Sequence, residues 1–416
     1  MRQAFFSTKL PQEVFDSFSN FHPVSKEELS LENALGCVLA EDFIAPEDLP
    51  GFPRATMDGY AVRAEDTFGT SEAVPVWLKV TGEIKMGEVP QKALNREEAI
   101  KIATGGMLPE GANAVVMVEH TQPIDETTIE VFKPVAPLEN ITLAGEDFSQ
   151  GTLVLPQGHR LRPQDIGVLA SLGKDKVRVY QCPRVAIIST GDEVVPVTEK
   201  IRPGQVRDVN SYTLSALVEE SRCIPVRMGI VKDDFQTLRK ACQKALEKAD
   251  VVLLSGGSSV GVRDFTLEVI RSFASSEILC HGVSISPGKP TIFARVGEKA
   301  VWGLPGQVTS AIIVFLVLVK PFLHYISGEK VDFSFQPLPI KTITVRAKMK
   351  VNVPSVQGRE DYLRVKLKEE DGILWAEPIL GKSGLLNTLI KADGLVKIDL
   401  NVEGLDKGEE VEVALF

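Results

Sequence analysis

Apolar and polar positions change rhythm several times along the chain. From residue 12 to 48 the spacing predicts helix in two pieces, with Ser25-Lys-Glu-Glu-Leu29 as a capping start. A proline-rich break follows. From about 49 to 147 short β-branched runs such as Val-Pro-Val-Trp-Leu-Lys-Val (74–80) and Ala-Val-Val-Met-Val (114–118) are separated by Gly, Pro and Asn, which predicts a small β-rich lobe. Leu161 to Gly173 reads as one helix ending at its glycine.

Residues 178 to 327 alternate strand-like runs (Val185–Ser189, Val251–Ser255) with helix-like ones (Tyr212–Glu220 and an apolar helix from Ser310). That alternation predicts a three-layer α/β domain around a mostly parallel sheet, in which ligands sit at the carboxyl ends of the strands. Residues 331–416, with Asp361–Leu367 and Glu410–Leu415, predict a compact β-barrel or sandwich. The apolar run 311–319 is too short to span a bilayer before Lys320 and Pro321, and the first ten residues lack the apolar core of a signal peptide.

Composition narrows the function. The 416 residues are 44% hydrophobic and 25% charged, ordinary for a globular chain of two to four domains. A formal charge of −10 argues against a nucleic-acid or anionic-membrane binder, because such surfaces need clustered cations. Any anion must be held locally, by backbone amides, a few lysines or a divalent metal. Five scattered cysteines without C-x-x-C spacing predict no disulfide framework and no structural zinc, hence a reducing, cytoplasmic location. The five histidines are too scattered for a triad or a zinc cluster.

Candidate chemistry lies in loops. Ser255-Gly-Gly-Ser-Ser-Val-Gly-Val-Arg-Asp264 connects a strand to a helix start; converging amides and a helix N-terminus suit an anion there, while Asp264 could equally cap a plain turn. Its spacing fits neither the Walker nor the dinucleotide fingerprint. Ser189-Thr-Gly-Asp-Glu193 places Asp192 and Glu193 at another strand end, where carboxylates beside an anion loop suit Mg²⁺. Ser286-Pro-Gly-Lys-Pro290 presents Lys289 in a rigid turn, Gly303-Leu-Pro-Gly306 leads into a helix that Thr309 or Ser310 can cap, and Asp233 reads as the cap of the helix after Lys232.

In this order, Met57-Asp-Gly-Tyr-Ala61, Thr104-Gly-Gly-Met-Leu-Pro-Glu-Gly-Ala112, Gly145-Glu-Asp147 and the four α/β loops resemble the molybdopterin molybdotransferase family, the MoeA and gephyrin E-domain proteins. The resemblance implies four domains: an elongated helical one (1–48 with 148–177, its first helix packing on the α/β domain), a β-rich lobe (49–147), a molybdopterin-binding α/β domain (178–327) and a C-terminal β-barrel (331–416). It implies a cytoplasmic homodimer with a shared active site, fed by a molybdopterin adenylyltransferase. Adenylylated molybdopterin and molybdate or tungstate are the substrates, a divalent cation such as Mg²⁺ assists, and AMP leaves. Carried over by position, Asp58, Thr104 and Asp147 come from the lobe, and Glu193, Asp233, Asp264 and Lys289 from the α/β domain, with Glu193 and Asp264 on the metal. The loop residues Ser255, Gly256, Gly257, Ser258, Ser259 and Gly261, the turn residues Pro287, Gly288, Pro305 and Gly306, and Ser383 of the barrel hold the molybdopterin and its phosphate.

Five positions depart from the family pattern: Ser286 replaces a lysine, Gln307 and Val308 replace Asn-Pro, Asn113 replaces an aspartate, and Ala55 replaces a small hydroxyl residue. A missing cation leaves Arg263 or Arg295 as substitutes. It also keeps a second expectation open, a molybdopterin carrier without transferase activity. The lobe and barrel weigh against a stand-alone adenylyltransferase.

Overall fold

The computed structural model describes residues 8–256, 265–331, 333, 342–382 and 384–416. Its central feature is a six-stranded sheet in the order Ile224–Val231, Arg184–Thr190, Val251–Ser255, Lys299–Leu304, Ile292–Val296, Ser276–His281. The first four strands are parallel, the fifth runs antiparallel to the fourth, and the sixth antiparallel to the fifth. Alternate residues feed opposite layers, as the two-residue period of a strand requires: Val185, Ile187, Val251 and Leu253 join one apolar core, and Ala186, Ile188, Val252 and Leu254 the other. Helix Asn210–Glu220 covers the first face through Leu214 and Val218, and helix Phe235–Lys248 the second through Leu238, Cys242 and Ala245.

The first face is closed by Val308–Val314, a wide π turn Phe315–Val319, and Lys320–Ile326, which join end to end. Lys320 and Pro321 end the uninterrupted apolar run but do not stop the helix. Proline lacks the amide hydrogen an α-helix would need, and the π turn immediately before it relaxes that requirement. The resulting 19-residue helix is long and apolar enough to cross a membrane, but 78% of its most apolar window is buried inside this chain. Short helix Pro11–Asp16 and the turn after it pack onto the same face, with Phe18 edge-on to Phe293, Trp302 and Phe322.

The expectation of helix from Ser25 is wrong. Lys26–Ser30 is a strand, paired antiparallel with Lys176–Tyr180 from Lys26↔Tyr180 to Ser30↔Lys176. Leu29 turns into a core formed with Leu155, Leu161, Leu169 and Val177, and that cross-strand packing overrides the helical preference of Lys-Glu-Glu. Helix Pro163–Ser171 does form, and the chain reverses at Gly173, whose φ is +75°.

Residues 59–131 build a second six-stranded sheet, ordered Ala114–Met117, Gly59–Val62, Glu98–Ile102, Val76–Ile84, Thr128–Val131, Thr121–Asp125. The C-terminal strands Glu360–Glu370, Ile373–Pro378, Thr344–Met349, Glu410–Leu415 and Gly394–Ile398 pair in sequence and close on themselves, giving a five-stranded barrel. Ile285–Ser286 of the α/β region adds to the start of its longest strand, pairing with Glu360 and Asp361.

Beyond the long helix, Glu329 accepts hydrogen bonds from Arg160 at 2.7 Å and lies 2.7 Å from His324 Nδ1, while Arg160 also donates to Gly36 O. Burial opposes ionisation of Glu329, but the His324 hydrogen bond and the Arg160 charge outweigh it and hold the carboxyl at about 2, against 4.5 ordinarily. The resulting stabilisation is complete above pH 4.5 and is lost as pH falls through about 2. Glu329→Gln is expected to cost about 2–3 kcal/mol at pH 7 in urea unfolding. The gap from the parent should shrink through the acid window; a constant gap would contradict the assignment.

Candidate active site

Parallel pairing brings Ser189, Ser255 and Leu304 to one level, Ser189 opposite Ser255 and Ser255 opposite Leu304, so three loops leave the sheet side by side. Gly256 turns at once, with φ +117°, and a Cβ there would stand 2.2 Å from Thr190 O. Only glycine lets the two loops touch. Asp208, buried, accepts from Ser189 Oγ at 2.7 Å and from Ser211 N at 3.1 Å, which locks the start of helix Asn210–Glu220 to the strand end. Asn210 Nδ2 donates to Ser255 Oγ at 2.7 Å and to Gly306 O at 2.8 Å, tying the second and third loops together. Below them opens a cavity of about 710 Å³, lined by Thr190, Glu193, Asn210, Ser255, Gly256 and Gly306, with Gly384 and Leu386 of the barrel region at its edge.

The acids divide differently from the sequence reading. Asp234, not Asp233, caps helix Phe235–Lys248, accepting from Thr237 N at 2.8 Å. Asp233 is thereby left to accept from Thr190 Oγ1 at the cavity wall, and its own N–H points to Asp192 Oδ1 at 3.3 Å. Asp192 thus serves the loop, while Glu193 is exposed on the cavity rim. Among the described residues no three acidic, His or Cys side chains cluster as a ready-made metal site. Asp264, Gly257, Ser258, Ser259, Gly261 and Ser383 lie outside the described residues.

A second cavity of about 640 Å³ adjoins the first and shares Gly306 and Gln307 with it. Pro287, Gly288, Lys289 and Pro305 line one side, and Gln357 to Arg359 of the barrel region the other. Gly288 has φ +123°, and a Cβ there would be 2.5 Å from Val314 Cγ2, so the turn carrying Lys289 fits only as glycine. Gln307 occupies the N-cap of the long helix; Thr309 and Ser310 are buried inside its first turn and do not cap it.

Arg295 pairs with Glu277 at 2.9 Å on the distal strands and lines neither cavity, so it does not replace the lysine missing at Ser286. Arg263 lies outside the described residues. Besides Lys289, Arg359 lines this cavity, ion-paired with Asp361 at 2.9 Å. Arg364, buried, donates to Thr388 Oγ1 at 2.5 Å and to Gly381 O at 3.0 Å, fixing the loop that leads to position 383. Burial pushes its pKa down from the ordinary arginine value. Sequence reading singled out neither arginine, nor Asp208 and Asn210, because each acts through a contact with a remote segment.

The lobe carries its own constellation. Asp58 Oδ1 accepts from Thr104 N at 2.7 Å and from Thr104 Oγ1 at 2.8 Å, and these two bonds hold its carboxyl below the usual range. Both residues are exposed. Gly59 is not a hairpin turn residue: it opens strand Gly59–Val62, where a Cβ would overlap Val116 O at 1.9 Å. Asn113 accepts from Ala64 N and donates to Glu65, a structural tie within the lobe. Asp147 is exposed on a separate turn held by Leu49 O. None of Asp58, Thr104 and Asp147 lines either cavity of its own chain.

Family descriptions match the chain in three stretches: MoeA N-terminal region (domain I and II) over residues 10–173, probable molybdopterin binding domain over 186–325, and MoeA C-terminal region (domain IV) over 346–416. A putative molybdopterin biosynthesis protein of Methanocaldococcus jannaschii is 39% identical across 97% of this chain and 96% of its own. The molybdopterin molybdenumtransferase of Haemophilus influenzae is 32% identical across 95% of each. A crystal structure of a molybdopterin biosynthesis moeA protein from Pyrococcus horikoshii superposes with a TM-score of 0.83 at 33% identity, covering 99% of this chain and 100% of that one.

Two substitutions test the geometry. Gly256→Ala should destabilise the protein by roughly 2–4 kcal/mol in urea unfolding, since both the positive φ and the contact with Thr190 O oppose a side chain. Thr104→Val removes the hydroxyl bond to Asp58 and keeps the backbone one, so a carbon-detected NMR titration should show that carboxyl titrating at higher pH than in the parent; an unchanged midpoint would remove the Thr104 hydroxyl as a cause.

Proposed function

Because this chain belongs to the MoeA family, we propose that it is a molybdopterin molybdotransferase, which takes adenylylated molybdopterin and an oxyanion, molybdate or tungstate, and releases AMP as the metal joins the dithiolene. The observation that carries this reading is the pair of adjoining cavities separated by the Gly306–Gln307 wall. The larger, at the strand ends, has the volume and the position for a pterin bearing a phosphate. The smaller is faced by Lys289 and Arg359, whose charges suit a compact oxyanion.

Each residue has a definite task in this reading. Asn210 and Asp208 hold the three loops at one spacing, so that the Ser255–Gly256 backbone meets the phosphate without rearrangement. Asp233 is oriented by the Thr190 hydroxyl, which donates to its carboxylate. The oxygen donors of Glu193, exposed, and Asp233, half-buried, suit a cation that retains water, such as Mg²⁺, which when bound with phosphate oxygens would neutralise charge on the departing phosphate. Arg364 secures the barrel loop that closes the cavity edge. The adenylylated substrate would come from a molybdopterin adenylyltransferase in the same compartment.

Asp58, Thr104 and Asp147 face solvent away from their own chain's cavities, and their place in this chemistry requires the lobe of a second copy. A homodimer with two composite sites meets that requirement. Ser286 supplies the one specific argument for a carrier without transferase activity, since it removes a cation from the smaller cavity; Arg359, on the opposite wall, offsets that loss.

Purified protein, adenylylated molybdopterin and Mg²⁺, with molybdate or tungstate in parallel, should release AMP in step with metal retained on the dithiolene. Tight binding without AMP release or metal retention would select the carrier. Mixing separately inactive Asp58→Asn and Glu193→Gln proteins should restore about a quarter of parental activity after subunit exchange, because half the dimers are mixed and each has one intact site. No recovery with demonstrated exchange would place both residues in one subunit's site.

A further inference from the structure

The barrel and the α/β region share one apolar core. Tyr362, Leu395 and Ala414, from three neighbouring barrel strands, are buried in the same cluster as Val283, Ile285, Val314 and Phe322. Alternation along the strands explains how. Leu363, Val365 and Leu367 turn into the barrel, so Glu360 and Tyr362 turn out towards the α/β region; in strand Gly394–Ile398, Val396 and Ile398 turn in while Leu395 and Lys397 turn out. Tyr362 stands opposite Lys397 in the register. Two ionisable side chains, Glu360 and Lys397, are thereby brought to the edge of an apolar junction, and neither lines a cavity described above.

Glu360 Oε1 lies 2.8 Å from Lys397 Nζ, and Glu360 Oε2 accepts from the Tyr362 hydroxyl at 2.7 Å. The Lys397 side chain is 10% exposed and that of Glu360 15%, with the outer carboxylate of Asp399 at 3.2 Å from the ammonium. Attraction within a pair so far out of water barely offsets the desolvation of its charges, so net stability does not account for it. Its position does. The Glu360 N–H donates to Ser284 O at 2.9 Å, and Glu360 and Asp361 pair in register with Ile285 and Ser286. The turn that follows is closed at its base, where Val283 N donates to Lys289 O at 2.9 Å. On the opposite wall of the smaller cavity, Arg359 immediately precedes Glu360 and is held by Asp361. A ladder two residues long is shorter than an ordinary strand pairing, and the Glu360 side chain adds the contacts that fix it.

We propose that Glu360, held by Lys397 and Tyr362, is a positioning residue for the smaller cavity: it sets the distance between Lys289 on the α/β wall and Arg359 on the barrel wall, and with it the affinity of the cavity for a compact oxyanion. That the oxyanion is molybdate or tungstate rests on the transferase reading. Glu360 itself touches no substrate. Removing its negative charge beside an anion site would, by electrostatics alone, tighten anion binding, because like charges repel. Loss of spacing acts in the opposite direction, so the sign of the change separates the two.

Equilibrium dialysis of the full-length protein against molybdate and against tungstate, with bound metal read by elemental analysis, measures affinity without turnover. Glu360→Gln keeps the shape of the side chain and is expected to weaken binding about tenfold. In an Arg359→Gln background the same substitution should cost less than about twofold, since the wall it positions has lost its cation. Tyr362→Phe removes only the hydroxyl donor and should weaken binding about threefold; it carries the test should Glu360→Gln fail to fold. Unchanged or tighter binding in these variants, equal losses in both backgrounds, or a parent that binds neither oxyanion would overturn the proposal. A parent that binds oxyanion without releasing AMP, with the variants weakened as stated, would uphold it and count against the transferase reading alone.

Discussion

The parallel register of three neighbouring strands is the constraint on which the rest depends. Ser189 lies against Ser255 and Ser255 against Leu304, so the chain is forced to leave the sheet three times at one height. Loops that depart together must either collide or share space, and here they share it through Gly256, which approaches Thr190 O more closely than any side chain permits. Asp208 and Asn210 then convert this crowding into fixed spacing. The cavity follows from the sheet's geometry, with its polar groups spent on holding loops and its backbone left to meet a ligand.

Charge works locally against the global balance. A chain of net charge −10 repels an anionic ligand at a distance, and salt screens that repulsion within about 8–10 Å. What matters is the few cations inside that radius, Lys289 and Arg359 on opposite walls of one cavity and Arg364 behind the barrel loop. The carboxylates gather on the neighbouring wall, Glu193 at the rim and Asp233 against Thr190. Lys289 and Arg359 thus line one compartment and Glu193, together with Arg207, the adjoining one, the two sharing Gly306 and Gln307.

Much of this was legible in the chain. The α/β alternation, the lobe, the helix ending near Gly173 and the barrel strands each carried a local period, and the motif order carried the family. Three things were not. Lys26–Ser30 is strand because a partner 150 residues away, Lys176–Tyr180, supplies its hydrogen bonds, and Lys-Glu-Glu alone reads as helix. The cap of helix Phe235–Lys248 fell one residue later than read, since Asp233 and Asp234 are equally good caps until Thr190 claims one of them. Arg359, Arg364, Asp208 and Asn210 carried no signal of their own, because a polar residue's importance in a fold is set by what arrives opposite it.

Ile285–Ser286 has the length of a single bend, yet it pairs with the barrel at Glu360 and Asp361 and leads directly into the turn bearing Lys289. Side chains on a strand alternate faces, so shifting this pairing by one residue would turn the following segment over. This makes length, together with the glycine at 288, the constrained quantity between 285 and 289. A single inserted or deleted residue would carry Lys289 away from its cavity while leaving the barrel and the sheet each intact.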